Sequence, residues 1–182
     1  NGEQRRLTDV LNSILSQTFT DFELIISDNA SSDKAQLICT EYMSKDKRVR
    51  YIRQDNNIGD IENFRVVFDE ACGEYFMWAA DDDWHSPEFL EVNVSALESN
   101  LKFVASTSPN CFEGDENNPN KYIDFNLEGD LKERFAKFLQ NAWRSHGIFY
   151  SLMRTEAIKK NTVLNFSYAG TDWSFNFFLL RK

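Results

Sequence analysis

Tyr75-Phe76-Met77-Trp78-Ala79-Ala80-Asp81-Asp82-Asp83-Trp84 is an apolar, aromatic run that ends in three consecutive carboxylates. Residues 75–80 read as a buried strand that delivers the acidic triplet beyond its end. Like charge piled at the tip of such a strand is locally unfavourable. Two carboxylates about 4 Å apart repel by roughly 4 kcal/mol at an effective dielectric near 20, against about 1 kcal/mol in bulk water. A cation offsets that repulsion, and carboxylate oxygens suit a hard divalent ion such as Mg²⁺ or Mn²⁺. The plainer alternative is an acidic turn at the entry of the next helix, where each carboxylate gains about 0.3–1 kcal/mol from the helix dipole. That gain hardly requires three of them.

Upstream, Leu7, Val10, Leu11, Ile14 and Leu15 fall at helical spacing, and this helix is expected to end near Gln17. Residues 22–27 read as a strand, followed by the polar turn Asp28-Asn29-Ala30-Ser31-Ser32-Asp33. Asp33 and Gln36 have capping-box spacing for a helix whose apolar face is Ala35, Ile38, Cys39 and Tyr42. Residues 49–53 form a second expected strand, with Val49, Tyr51 and Arg53 on one face. After the turn Asn56-Asn57-Ile58-Gly59, a helix carries Ile61, Phe64, Phe68 and Ala71 on one side, and Gly73 suits its C-terminal cap. Ser86-Pro87 reads as the start of a helix that faces Leu90, Val94 and Leu97 inward. This alternation predicts an α/β fold with a parallel sheet covered by helices. Such sheets bind ligands beyond the carboxyl ends of their strands. Asp28 and Asp81 are therefore expected to line one crevice.

The second half is less regular. Residues 102–107 and 147–153 read as strands, 109–126 as a polar, Asn-rich loop. Leu131, Phe135, Phe138, Leu139 and Ala142 mark an amphipathic helix, and Thr155 opens a short one. A turn through Asp172 leads into a last helix carrying Trp173, Phe175, Phe177 and Phe178. That helix reaches the chain end without a cap, so the sequence reads as a piece of a longer protein. The expected organisation is a single domain with a donor-side half over 1–100 and an acceptor-side half over 101–182.

Composition narrows the function. With 42% apolar residues, sixteen of the 182 being Phe, a core is readily built. No run approaches the roughly 18 apolar residues of a membrane span. Twenty basic against twenty-nine acidic residues leave a net charge of −9, which argues against a nucleic-acid partner. Cys39, Cys72 and Cys111 are odd in number and widely spaced. They form no metal-ligand pattern and read as reduced thiols of a cytosolic compartment.

Several blocks together resemble family 2 glycosyltransferases, the inverting, nucleotide-sugar-dependent enzymes of GT-A fold. They are Leu11-Asn12-Ser13-Ile14-Leu15-Ser16-Gln17-Thr18-Phe19, Asp21-Phe22-Glu23-Leu24, the Asp28–Asp33 turn, Asn57-Ile58-Gly59, Gly73-Glu74-Tyr75 and the acidic triplet. The resemblance implies a Rossmann-like, mostly parallel sheet flanked by helices, with a mixed α+β acceptor-side half. It implies that Asp28 and Asn29 bind the nucleoside of a nucleotide-diphosphate sugar, and that Asp81 hydrogen-bonds the ribose. Asp82, with Asp83 as a second contact, would hold Mg²⁺ or Mn²⁺. Thr171-Asp172-Trp173 resembles the motif of the family's catalytic base, which makes Asp172 the expected base. The alternative role for Asp172 is an N-cap of the last helix. Two positions depart from the pattern: Asn29 stands where many relatives carry a second Asp, and Thr171 where a Glu is frequent. The family's first strand would precede Asn1.

By the same resemblance the acceptor is a glycan or lipid-linked glycan, in bacterial surface-polysaccharide assembly. The place is the cytoplasm, with peripheral association at the inner membrane face. Trp84, Trp143 and Trp173 are candidates to stack on a sugar, with core packing the expected fate of two of them. His146 is a candidate to hold phosphate or a metal, and Arg65 and Arg144 to neutralise diphosphate, against plain loop or solvated-helix readings. Two other functions share the scaffold. A non-catalytic nucleotide-sugar or glycan-binding module would use the same turns. A nucleotidyltransferase would need a Gly-rich, basic phosphate loop near the N-terminus, where only Gly2, Arg5 and Arg6 stand.

Overall fold

Apolar residues at helical spacing alternate with strand-length apolar runs, and the backbone follows them. The structure, a computed structural model, describes residues 2–109, 126–141, 148–159 and 170–182, with side chains from Arg6 onward. Helix α1 (Gly2–Leu15) buries Val10, Leu11 and Ile14. Strands β1 (Leu24–Asp28) and β2 (Val49–Arg53) pair in parallel, with Leu24 opposite Val49 and Asp28 opposite Arg53. Helix α2 (Ala35–Lys45) makes the crossover between them and buries the free thiol of Cys39. Helix α3 (Asp60–Glu70) then lays Ile61, Phe64 and Phe68 against the main core.

A second sheet follows. Strand β3 (Tyr75–Phe76) and β4 (Ala105–Ser106) flank β5 (Leu152–Arg154), both antiparallel to it. Helix α4 (Phe89–Ser99) buries Leu90, Val94 and Leu97 together with Leu152 in a smaller core. Helices α5 (Leu131–Asn141), α6 (Thr155–Ile158) and α7 (Thr171–Leu179) complete the described elements. The larger core gathers Phe76, Trp78, Phe138, Phe149, Met153, Ile158 and Phe175. The α/β architecture expected from the sequence is the one observed.

Several local expectations are corrected. The apolar run over 75–80 pairs only at Tyr75–Phe76, and antiparallel to β5, so it does not extend the β1–β2 ladder. Its burial comes from ring packing instead: Trp78 is 3% exposed and its indole N–H donates to the Phe64 carbonyl at 3.0 Å. The strands expected over 102–107 and 147–153 shrink to β4 and β5, and residues 148–150 form a turn closed by Ser151 N–H on the Ile148 carbonyl at 3.3 Å. Gly73 is not a left-handed cap; α3 ends at Ala71 with extended backbone. What Gly73 supplies is room, since a Cβ there would meet the Tyr75 carbonyl at 2.9 Å. No capping box forms on α2. Lys34 is its cap residue, and Asp33 instead accepts the Ala35 amide at 2.9 Å, as an Asx turn does. Helix α4 starts at Phe89, after a turn in which the Phe89 amide meets the Ser86 carbonyl at 3.0 Å. Leu131 and Leu139 of α5 are exposed, while Phe138 is buried. Residues 110–125 of the expected 109–126 loop, with Cys111, and Ala142, Trp143, Arg144 and His146 lie outside the described residues. Among the described residues no helix is long and apolar enough to cross a membrane.

Candidate active site

Three aromatic rings decide where the acidic groups fall. Trp78 stacks on Phe149 with centroids 4.8 Å apart and planes 7° from parallel. Phe175, fully buried, meets Trp78 edge-on at 5.2 Å and Phe149 edge-on at 5.4 Å. Each ring lies close in sequence to a polar group. Trp78 is three residues before Asp81, Phe149 is one before Tyr150, and Phe175 is three after Asp172. The field at Tyr150 records the outcome. Burial first, and then the carboxylates of Asp83, Asp82, Asp172 and Asp81, push its phenol above the ordinary tyrosine value. The ring hub thus joins the segments that carry the triplet and the candidate base.

The triplet is exposed. Among the described residues none of its carboxylates makes an ion pair or a side-chain hydrogen bond. Burial, then Asp82 and then Asp81 raise the Asp83 carboxyl, while His85 pulls it the other way. Burial in turn pushes the His85 imidazole down. Unpaired, exposed carboxylates are oxygen donors of the kind a hard divalent ion takes, so the chemistry of Asp82 and Asp83 suits the expected metal. Among the described residues no three His, Cys, Asp or Glu side chains converge as a ready ligand set.

The segment that follows the triplet is clamped to α1. Gln17, buried, donates to the Ser86 carbonyl at 2.6 Å and accepts the Leu90 amide at 2.8 Å. The Thr18 amide meets the Pro87 carbonyl at 2.9 Å, and Ser13 Oγ accepts the His85 amide at 3.3 Å.

Asp28 belongs to a different cluster. In-register pairing places Arg53 beside it, and Tyr51 shares the Arg53 face of β2. Tyr51 donates to Asp28 Oδ2 at 2.5 Å, Arg53 pairs with the same oxygen, and the Ser31 amide meets Oδ1 at 2.7 Å. Burial alone would raise the Asp28 carboxyl; the bonds from Tyr51, Ser31 and Arg53 outweigh it and hold the group below the usual carboxylate value. Tyr51 is pushed up to about 12, by burial and by its bond to Asp28. The turn is tight: the Ala30 amide reaches the Asp28 carbonyl at 2.9 Å, with Ala30 at φ 62°, a left-handed conformation a β-carbon disfavours. Asn29 joins two loops, accepting the Ile58 amide at 2.8 Å and donating to Asn57 Oδ1 at 3.1 Å.

Asp172 is exposed in the first turn of α7. The N-cap reading is corrected, because Gly170 occupies that position with left-handed backbone, φ 87°. Of the tryptophans, Trp84 is 65% exposed beside the triplet, whereas Trp173 packs edge-on against Phe138 at 5.6 Å. Arg65 pairs with Glu62 on its own helix. Arg53, Tyr51 and Tyr150 were not singled out as site residues from sequence. The first two carried a signal, since parallel pairing of β1 and β2 sets their shared face against Asp28. Tyr150 carried none.

The chain is thus an α/β fold with a polar turn after β1 and an acidic turn beyond β3. A family model for glycosyl transferase family 2 matches residues 2–162, and the chain belongs to that family. Asp172 lies beyond the matched range. Glycosyltransferase GlyG of Streptococcus pneumoniae serotype 4 is 26% identical over 159 residues, covering 85% of this chain and 52% of that protein. A GalNAc(5)-diNAcBac-PP-undecaprenol beta-1,3-glucosyltransferase of Campylobacter jejuni is 28% identical over 174 residues, covering 94% and 54%. The crystal structure of S. aureus TarS 1–349 superposes with a TM-score of 0.74 at 20% identity, over 98% of this chain and 52% of that one. That likeness shows the fold, the GT-A type. TarS 1–349 has also been solved with UDP. This chain spans about half the length of each of these proteins.

Proposed function

We propose that this chain carries the donor site and catalytic base of a glycosyltransferase that moves a sugar from a nucleotide diphosphate to an acceptor hydroxyl, with inversion and with a divalent metal. The observation that carries the reading is the aromatic hub of Trp78, Phe149 and Phe175, which joins the segment bearing Asp81, Asp82 and Asp83 to the one bearing Asp172. One carboxylate set faces the leaving diphosphate and the other the attacking hydroxyl, as a single displacement at the anomeric carbon needs.

Asp82 and Asp83 would hold Mg²⁺ or Mn²⁺. The chemistry such an ion would supply there is charge stabilisation of the leaving diphosphate. Asp81 would accept from the ribose. Asp28 accepts three hydrogen bonds from the protein, and an ionised carboxylate has about four acceptor sites, so one remains for a nucleoside donor. Asn29 braces that wall through Asn57 and Ile58 and would face the base from there. Asp172 would remove the acceptor proton during attack, a role that contributes about 10²–10⁴ in rate. The C. jejuni relative is named for a polyprenyl-linked glycan acceptor. We carry over that chemical class, a glycan or lipid-linked glycan, with the reaction at the cytoplasmic membrane face.

The test is release of nucleoside diphosphate from a panel of nucleotide sugars, with and without Mn²⁺. Asp172→Asn should keep donor binding and cut turnover by about 10²–10⁴. Donor binding with neither transfer nor hydrolysis in the unaltered protein would instead identify a binding module.

A further inference from the structure

Helix α7 turns one face toward the fold, and a polar side chain is buried on it. At about 100° per residue, Thr171, Phe175, Leu179, Asn176 and Leu180 form one arc, and all five are buried. Asp172 falls in the middle of that arc yet is exposed. The inward side of α7 is therefore open at its first turn and closed one turn later. Two residues flank the opening. Phe175 meets Trp78 and Phe149 edge-on, so its flank faces the segment that carries the acidic triplet. Asn176 lies on the other flank, toward the side of α7 whose Trp173 and Phe177 pack on Phe138 of α5. Asn176 is 9% exposed, and among the described residues its Oδ1 is buried without a hydrogen-bond donor. Buried acceptors are nearly always paired, so a native one left orphaned asks for a partner.

We propose that Asn176 binds the acceptor sugar, its Oδ1 accepting a hydrogen bond from the hydroxyl next to the one that attacks. This rests on the transfer reading above. Side chains four apart on a helix have Cβ atoms about 5–6 Å from one another. They also lean toward the helix N-terminus, which sets the Asn176 amide over the turn of Asp172. Its terminal torsion is soft, so rotation of the amide brings Oδ1 to the opening. The donor sugar reaches Asp172 from the side of the triplet, which is the Phe175 flank. The acceptor is left the Asn176 flank. A pyranose with neighbouring hydroxyls offers one to each side chain. Asp172 receives the proton of the first, and Asn176 holds the second, which fixes the angle of attack. A site built to bond a substrate hydroxyl discriminates strongly against acceptors that lack it.

Asn176→Leu keeps the bulk and removes the polar atoms. The probes are the methyl glycosides of glucose, galactose, GlcNAc and GalNAc, supplied with UDP-sugars and Mn²⁺. Disaccharide formed is compared with UDP released, which gives transfer relative to hydrolysis, alongside Asp172→Asn and thermal melting. The expected result for Asn176→Leu is a thermal midpoint equal to or above that of the unaltered protein, because an orphaned buried acceptor is gone. Transfer relative to hydrolysis should fall by about 10-fold, through a higher KM for the glycoside. An unchanged ratio, while Asp172→Asn is inactive, overturns the role of Asn176 and leaves the transfer reading standing. A lower midpoint with transfer and hydrolysis falling together also overturns it, since the amide then serves the fold. Donor hydrolysis by the unaltered protein without transfer to any of the four glycosides counts against it equally. Full transfer in both variants, or no UDP release from the unaltered protein, brings down the transfer site and this inference together.

Discussion

Trp78 and Phe149 stack face to face at 4.8 Å, and both meet the edge of Phe175. An extended chain covers at most about 3.3–3.6 Å per residue. Asp81 therefore lies within about 11 Å of Trp78, and Tyr150 within one residue of Phe149. The hub holds together three segments that are far apart in sequence. Phe149→Ala should cost about 3–5 kcal/mol in urea unfolding, as large-to-small changes at buried Phe do. Phe149→Leu should fold, lose about 0.5–1.5 kcal/mol of aromatic pairing, and lose turnover beyond the fraction unfolded. Turnover that merely tracks the folded fraction would show that the stack does not position the site.

Asp28 and Arg53 face one another at the carboxyl ends of β1 and β2, with Asp28 nearly buried and Arg53 one-third exposed. Removing Arg53 leaves a buried carboxylate with two partners rather than three. Arg53→Ala should cost about 1–3 kcal/mol, less than a fully buried pair because the guanidinium already reaches water. The pH dependence has a definite sign. The folded Asp28 value lies below the unfolded one of about 3.9, so its stabilisation is present above that pH and is lost as pH falls through the folded value. Asp28→Asn should be less stable than the unaltered protein at pH 7, and the gap should close below about pH 4. A gap that persists in acid would assign the effect to shape rather than charge.

Asp83 behaves in the opposite sense. Its folded carboxyl is raised, so ionisation is disfavoured in the native state, and stability is lost as pH rises through the folded value. Asp83→Asn should raise the thermal midpoint at pH 7 without metal and leave it unchanged in acid below the unfolded value. It should also reduce the further rise produced by Mn²⁺ with a nucleotide diphosphate. An unaltered midpoint at pH 7 would mean that the triplet is fully solvated and unstrained.

Much of the donor half was legible because it rests on local patterns. The helical spacing of Val10, Leu11 and Ile14, the turn through Asp28 and the strand over Val49–Arg53 need no tertiary information. The 75–80 run was over-read as a strand because periodicity reports burial and not how burial is achieved. Here rings cover it rather than neighbouring strands. The acidic triplet was visible as a charge anomaly, and Asp28 as a turn residue, but their partners were not. Arg53 reaches Asp28 only through the parallel register, and the segment of Tyr150 meets that of the triplet through the Trp78–Phe149 stack, across some seventy residues. No local spacing encodes contacts of that kind.

Gln17 offers the last test, because it connects the helix before β1 to the segment after the triplet. One amide side chain, 4% exposed, spans the Ser13 and Ser86 carbonyls at 3.1 and 2.6 Å and the Leu90 amide at 2.8 Å. Gln17→Leu has similar bulk but strands the Leu90 amide and the Ser86 carbonyl, each worth about 1–3 kcal/mol when left unpaired in a buried place. Gln17→Glu keeps the acceptor for Leu90 but sets a carboxylate against two carbonyls, so it should not rescue. If this clamp aims the acidic turn, both variants should weaken the Mn²⁺ dependence of turnover more than they weaken nucleoside binding at the Asp28 turn. Titrating Mn²⁺ at saturating donor, and UDP without metal, separates the two effects. Equal losses in both titrations would mean that Gln17 supports the fold at large and does not set the position of Asp82 and Asp83.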